Sequence, residues 1–199
     1  MQQALIALAH PDPASFSHAV AAAYAQGVAA AGHRAEIADL AAEGFDPRFT
    51  AQDLALHRRE APPAADVAAE QARIDRADAL VLVYPVYWWA MPGLLKGWID
   101  RVFANGWAYE ESPGGPLLKK LRHLDVHLLA VGGASQRTYA RHGYFGAMKT
   151  QIEHGIFDYC GAKVRRSELL LDADPAHLQT ARALGARLFA TEPAAALPA

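Results

Sequence analysis

Five short segments of the chain have the hydrophobic pattern of strands, and three of them are continuously apolar. These segments predict strands at residues 4–9, 33–40, 79–84, 126–131 and 164–171. Helical spacing predicts helices from a cap at Ser15 or Ser17 to Gly32, and at residues 52–59, 67–77, 92–103, 147–160 and 175–191. Strands that alternate with helices favour an α/β fold with a parallel sheet. We therefore predict a doubly wound, five-stranded parallel sheet with helices on both faces, and we expect residues 1–199 to form a single domain.

The strand count also predicts where a ligand binds. Five strands fit the flavodoxin-like strand order better than the six-stranded dinucleotide order, and such sheets bind ligands outside the carboxyl ends of the strands. The site should therefore consist of the loops after the first, third and fourth strands. These loops are HPDPASFS at 10–17, PVYWWAMP at 85–92 and GGASQRTYARHG at 132–143.

Charge and cysteine content exclude several classes of function. The 199 residues carry a formal charge of -2 at pH 7, which gives no basic surface for nucleic acid or anionic lipid. No segment reaches the roughly 18 apolar residues of a membrane span. Cys160 is the only cysteine, so an internal disulfide is excluded, and no H-E-x-x-H motif is present. We expect a cytoplasmic protein without a metal, in which Cys160 is a buried small residue.

The first loop is a candidate phosphate site. It lacks both G-x-G-x-x-G and the nucleotide-triphosphate loop motif, but it leads from a strand into a helix. Unpaired N–H groups at a helix start attract anions, and His10, Ser15 and Ser17 add side-chain donors. The alternative is that both serines only cap the helix and His10 is a turn residue.

The second loop carries three consecutive rings, at Tyr87, Trp88 and Trp89. Consecutive residues cannot all point into one core, so at least one ring should face a ligand or a second subunit. Trp98, one turn or more into the next helix, is expected to be core. A flat aromatic ligand would stack on such a wall.

Glycines and polar residues make up the third loop. Gly132 and Gly133 allow the backbone to approach a ligand closely, although a pair of glycines is more often simply a turn. The polar and cationic side chains that follow suit the rim of a pocket, and a solvated loop is the alternative for each arginine. These residues are Arg137, Tyr139, Arg141, His142 and Tyr144.

Several blocks in matching order resemble the NAD(P)H:quinone oxidoreductases of flavodoxin-like fold and their bacterial relatives. The blocks are ALIALAHPDPASFSHA, YPVYWWAMPGLLKGWIDRVFANGWAY, GGPL at 114–117, the GG at 132–133, and IEHGIFDYCGAKV. The resemblance implies a homodimer that transfers two electrons, as a hydride, from NAD(P)H through a flavin to a quinone or another small aromatic acceptor in a ping-pong mechanism. The implied cofactor-binding residues are His10, Ser15, Phe16, Ser17, Ala19, Pro85, Val86, Tyr87, Trp88, Trp89, Gly132 and Gly133.

The resemblance also implies roles in proton and charge transfer. Tyr139 matches a tyrosine that the family uses for charge and proton transfer at the flavin, so it also counts as a cofactor-binding residue. Phe145 stands where the family has a histidine, so either His142 replaces it or Tyr139 and solvent deliver the proton. Tyr109 matches a pocket tyrosine that family members contribute across the dimer interface, whereas Glu111 replaces a second one.

The cofactor and the role leave alternatives open. The first loop favours FAD over FMN. A flavin-binding regulatory subunit of a potassium-efflux system and a one-electron carrier are the alternatives to the enzyme.

Overall fold

The computed structural model describes residues 1–112 and 114–190, which are built around one parallel sheet. The strands are β1 Gln3–Leu8, β2 Arg34–Asp39, β3 Ala79–Pro85, β4 Tyr109–Glu110, β5 Leu118–Lys119, β6 Asp125–Gly132 and β7 Lys163–Leu171. The helices are α1 Phe16–Ala30, α2 Ala51–His57, α3 Ala65–Asp75, α4 Gly93–Val102, α5 Gln136–His142, α6 Tyr144–Met148, a π-helix Lys149–Asp158, and α7 Ala176–Arg187.

The five-stranded sheet has the order β2-β1-β3-β6-β7, and all its neighbours are parallel. This order confirms the flavodoxin-like, doubly wound arrangement predicted from the sequence. The strands β1, β3 and β6 lie inside the sheet, and they are the three segments with continuous apolar runs. A strand covered on both faces has no solvent side, so it does not need alternating polar residues.

Two apolar layers cover the sheet. On one face, α1 and α7 pack against residues such as Ile6, Val81 and Leu129. On the other face, α3, α4 and the π-helix pack against residues such as Leu82 and Leu128. The strand pleat alternates side chains between these layers, so that each central strand contributes to both cores.

The segment that the sequence leaves irregular, residues 41–64, is held by buried charges. Arg101 on α4 donates to the Asp53 carboxylate at 3.0 Å and to Asp66 at 2.6 Å, and it also donates to the backbone oxygen of Asp46. Because an unpaired buried charge is costly, these contacts fix the segment against α4.

The β4–β5 hairpin was not predicted from the sequence, and three helical regions also differ from the prediction. Residues 136–142 form α5, where we predicted a loop; Ser135 caps this helix and Gly143 ends it at φ 73°, signals that the sequence contains. The helix predicted at 147–160 begins earlier, as α6, and continues as the π-helix. The last helix ends at Arg187, before the predicted end at residue 191, which lies outside the described residues.

Two further observations concern Cys160 and the length of the helices. Cys160 is 3% exposed, as expected, and burial raises the pKa of its thiol to about 11. Among the helices of the described residues, none is long and apolar enough to cross a membrane.

Candidate active site

The three loops predicted to form the site meet at the carboxyl edge of the sheet. The Ala9 N–H, just after β1, donates to the Val83 oxygen at 3.2 Å, and the Val86 N–H, just after β3, donates to the Val131 oxygen at 2.8 Å. Parallel strands end at the same edge, so the ladder bonds themselves bring the loops together. Pro85 is the buried last residue of β3.

The first loop is arranged around the start of α1. Ser15 is the N-cap, and its hydroxyl oxygen accepts the His18 N–H at 3.4 Å. The Nδ1 atom of His10 accepts the Asp12 N–H at 3.0 Å, which fixes the turn. Ser17 is buried, while Phe16 and Ala19 are half-buried on the first turn. The expected cap is therefore present, and the N–H groups of this turn are oriented for an anion.

His18, which the sequence analysis missed, connects this loop to β2. Its Nδ1 lies 2.8 Å from the Ser15 hydroxyl oxygen, and its Nε2 lies 2.9 Å from the Asp39 carboxylate. Desolvation raises the pKa of Asp39, but the hydrogen bonds from His18 and from backbone N–H groups outweigh it and leave the pKa below its ordinary value. No local signal links residues 18 and 39, because only the β1–β2 pairing brings them together.

A strained two-residue turn shapes the second loop. Tyr87 and Ala90 exchange backbone hydrogen bonds of 3.1 and 3.0 Å, and the two residues between them, Trp88 and Trp89, have φ of 51° and 60°. A tight hairpin turn with positive φ at both central residues is usually built from Asn and Gly. Side chains with a Cβ are disfavoured there by about 1 kcal/mol or more each. Two tryptophans in this conformation indicate a functional constraint.

The three consecutive rings diverge, as predicted. Trp88 is 93% exposed and Tyr87 is about half exposed, whereas Trp98 is fully buried in the core, as expected. Trp89 stacks on Tyr144 with ring centroids 3.7 Å apart and an interplanar angle of 11°. The sequence analysis assigned Tyr144 only to a polar rim, because α5 and α6, which carry it to Trp89, were not both recognised.

Gly132 and Tyr139 lie in contact at the centre of the third loop. The Tyr139 side chain is 1% exposed and makes an edge contact with the Trp89 ring, the centroids 5.2 Å apart. Its hydroxyl oxygen lies 2.7 Å from the point that a Cβ on Gly132 would occupy, whereas a Cβ on Gly133 would meet nothing within 4 Å. No hydrogen bond to this hydroxyl is found within the described part of the chain, and burial raises its pKa. The phenol is therefore a neutral, unpartnered donor.

The position at which the resemblance implies a histidine is a phenylalanine here. Phe145 is 43% exposed, and its ring centroid lies 5.4 Å from that of Tyr139. The ring of His142, the suggested replacement, is 5.4 Å from the Tyr144 ring at the exposed end of α5. The structure thus places His142 beside the aromatic cluster without a contact to Tyr139.

Tyr109 lies away from these loops, on the small β4–β5 hairpin. Its ring makes an edge contact with Tyr159, which is 39% exposed, with centroids 5.2 Å apart. Burial raises the pKa of Tyr109, so it too remains a neutral phenol. Tyr159 was not predicted from the sequence, because only the folded chain brings the π-helix end to the hairpin.

Comparison with known proteins agrees with this geometry. A family model described as a flavodoxin-like fold matches residues 2–188. This chain belongs to the flavodoxin-like family. A relative of this flavodoxin-like chain, the ribosyldihydronicotinamide dehydrogenase [quinone] of Pongo abelii, is 31% identical over 186 residues; the match covers 82% of this chain and 78% of the relative.

Two solved structures are also similar. An NAD(P)H:quinone oxidoreductase from Methanothermobacter marburgensis superposes with a TM-score of 0.84 at 26% identity, covering 94% of this chain and 98% of that one. A general stress protein 14 from Treponema denticola in complex with FMN superposes with a TM-score of 0.61 at 26% identity, covering 93% and 94%. The resemblance stated from the sequence is therefore confirmed at the level of family and fold.

Proposed function

We propose that this flavodoxin-like chain is a flavin-dependent NAD(P)H oxidoreductase that reduces quinones by two electrons, alternating the two substrates in one pocket. The names of its relatives support the reaction class. Within the structure, the proposal depends on one observation above all: the neutral, unpartnered Tyr139 hydroxyl lies over Gly132 at the edge where ligands of this fold bind.

The residues present fit a planar, phosphorylated group. The start of α1, with His10, Ser15 and Ser17, would hold phosphate oxygens through backbone N–H groups and side-chain donors. The open space at Gly133 admits a ring that any larger residue would displace. The turn Pro85–Trp89 would bind the ring edge. A bound flavin would supply the electron-transfer chemistry that no side chain of this chain provides.

Side chains around a bound flavin would stabilise the negative charge that reduction places on it. The phenol of Tyr139 would donate a hydrogen bond to an oxygen that becomes negative on reduction, in surroundings where Trp89 and Tyr144 exclude water. His142 would exchange protons with solvent at the exposed end of α5. In a homodimer, Tyr109 would lie at the pocket of the second subunit, and Tyr159 would support its ring.

The proposal also concerns which flavin binds, FAD or FMN. The first loop favours FAD, but a related protein of 26% identity was solved in complex with FMN. We give this relative more weight, because it covers nearly the whole chain, and expect FMN. Mass spectrometry of the flavin released by heat would decide between the two.

The remaining proposals concern the cellular compartment, the oligomeric state and the two alternative roles. We expect a cytoplasmic homodimer. A regulatory role in potassium efflux has no support among the relatives described above. A one-electron carrier would not need the strained turn at Trp88 and Trp89.

The proposal is tested by purification and turnover. We expect yellow protein that oxidises NADH or NADPH when menadione is added, with initial-rate plots of parallel lines. Protein that stays colourless and inactive after FMN and FAD are added would refute the proposal. A stable one-electron reduced state on titration would support the carrier instead.

A further inference from the structure

A second cavity lies outside the three loops of the candidate active site. It has a volume of about 450 Å³, lies between the β6–β7 face of the sheet and the helices α6 and π, and is open to solvent on one side. This volume lies within the range of about 300–1,000 Å³ that is typical of small-molecule sites. Its apolar walls are Leu128, Ala130, Phe145, Met148, Ile152, Val164 and Leu169.

One buried polar group lines this cavity without a partner. Tyr84, on β3, is 1% exposed and contributes to the cavity wall, and no hydrogen bond to its hydroxyl is found among residues 1–112 and 114–190. Burial raises the pKa of this phenol, and the nearby charge of Glu153 adds to the effect, so the group is a neutral donor. The hydroxyl is therefore a donor that faces the cavity, and a ligand oxygen there would accept a hydrogen bond from it.

Charged side chains of both signs surround the remaining polar part of the cavity. Lys149 and Glu153 lie one turn apart on the π-helix, and β7 contributes Arg165, which pairs with Asp125, together with Arg166 and Glu168. This balance favours neither an anion nor a cation. π-Helical turns are rare and are frequently found at functional sites, and this one contributes Lys149, Ile152 and Glu153 to the cavity.

We infer that this cavity is a second small-molecule site, which takes a compact, mainly apolar aromatic compound carrying one carbonyl oxygen. The apolar walls would bury the ring, and the Tyr84 hydroxyl would donate to the carbonyl. Binding here does not depend on a flavin, because none of the lining residues belongs to the phosphate loop or to the aromatic turn.

The inference is tested by titrating the purified protein with 1-indanone and following the methyl signals of ¹³C-labelled methionine. The chain has three methionines: Met148 lines the cavity, Met91 is buried in the core and Met1 is exposed. We expect a saturable shift of the Met148 methyl while the Met1 and Met91 signals stay in place.

Two variants and a control locate the ligand. Ala130→Leu should narrow the cavity and reduce the shift. Tyr84→Phe keeps the shape of the wall and should weaken binding about fivefold to tenfold, because it removes the hydroxyl that would donate to the carbonyl. The control Thr180→Val removes an exposed hydroxyl on α7, outside the cavity, and should leave the affinity for 1-indanone unchanged. A Met148 signal that does not move at the solubility limit of 1-indanone, or a Tyr84→Phe protein that binds as tightly as the unaltered one, would overturn the inference.

Discussion

The hydroxyl of Tyr139 occupies space that only a glycine at position 132 leaves open, since a Cβ there would lie 2.7 Å from the hydroxyl oxygen and 2.8 Å from Leu171 Cδ2. We expect Gly132→Ala to displace the Tyr139 ring and to lower the free energy of unfolding by about 1–3 kcal/mol. Urea unfolding of the flavin-free protein measures this loss.

Gly133→Ala is the matched control for that change. A Cβ at Gly133 meets open space, so the unfolding free energy should stay within about 0.5 kcal/mol of the unaltered protein. The affinity for flavin should nevertheless fall severalfold if the ring lies against this backbone. Unchanged flavin affinity in Gly133→Ala would place the ring elsewhere.

Removal of the Tyr139 hydroxyl should affect the reduction step more than flavin binding. In Tyr139→Phe the ring contacts with Trp89 and Phe145 remain, while the donor is lost. We expect stopped-flow flavin reduction by NADH to slow about tenfold or more, with flavin affinity changed less than threefold. Equal rates of reduction in the two proteins would exclude this role.

Relief of the backbone strain in the turn at Trp88 and Trp89 should raise the free energy of unfolding. Trp88→Gly relieves a φ of 51° at a side chain that is 93% exposed, so little buried surface is lost. We expect the unfolding free energy to rise by about 1 kcal/mol and quinone reduction to fall. Trp88→Ala, which removes the ring and keeps a Cβ, should lose activity without any gain in stability. A gain of the same size in both variants would mean that the ring, not the backbone, was unfavourable.

The contribution of His18 to the first loop, residues 10–17, can be tested by substitution. His18→Phe removes the contacts with Ser15 and Asp39 while a ring remains in place. We expect flavin affinity to fall about tenfold, because the loop loses its connection to β2. His142→Phe, which changes a histidine at the exposed end of α5, should leave flavin affinity nearly unchanged in the same fluorescence titration.

A buried histidine should make the fold sensitive to acid. The Tyr24 hydroxyl and Nδ1 of His127 share a hydrogen bond of 2.7 Å. Burial, together with the charge of Arg166, lowers the pKa of His127 to about 4 from an ordinary 6.5. Between these two values the unfolded chain binds the proton and the folded chain does not. Stability is therefore intact above pH 6.5 and is lost as the pH falls toward 4.

The expected loss from His127 is about 2–3 kcal/mol at pH 4.5, relative to pH 7.5, in urea unfolding. His127→Gln keeps an acceptor for Tyr24 but does not titrate, so most of this loss should disappear. His154→Gln, at an exposed histidine, should retain it. An acid response that is identical in all three proteins would show that other groups cause it.

The sequence alone determined the strand order, the edge of the sheet that carries the site, and the family. Continuous apolar runs indicate strands that are buried on both faces of the sheet. The order of these segments along the chain is then compatible with only a few topologies of a parallel sheet. The Ser15 cap, the core position of Trp98 and the burial of Cys160 were also predictable, because each follows from local pattern and spacing.

Only the tertiary structure decided which side chains meet. The stack of Trp89 on Tyr144, the link from His18 to Asp39, the Tyr109–Tyr159 contact and the cavity beneath the π-helix all join residues from different elements. Their signals are absent from any short window of sequence. The positive φ at Trp88 and Trp89 could not be predicted either, because local preference opposes it. Such a conformation persists only where the surrounding contacts, here the Tyr87–Ala90 hydrogen bonds and the stack of Trp89 on Tyr144, outweigh the strain.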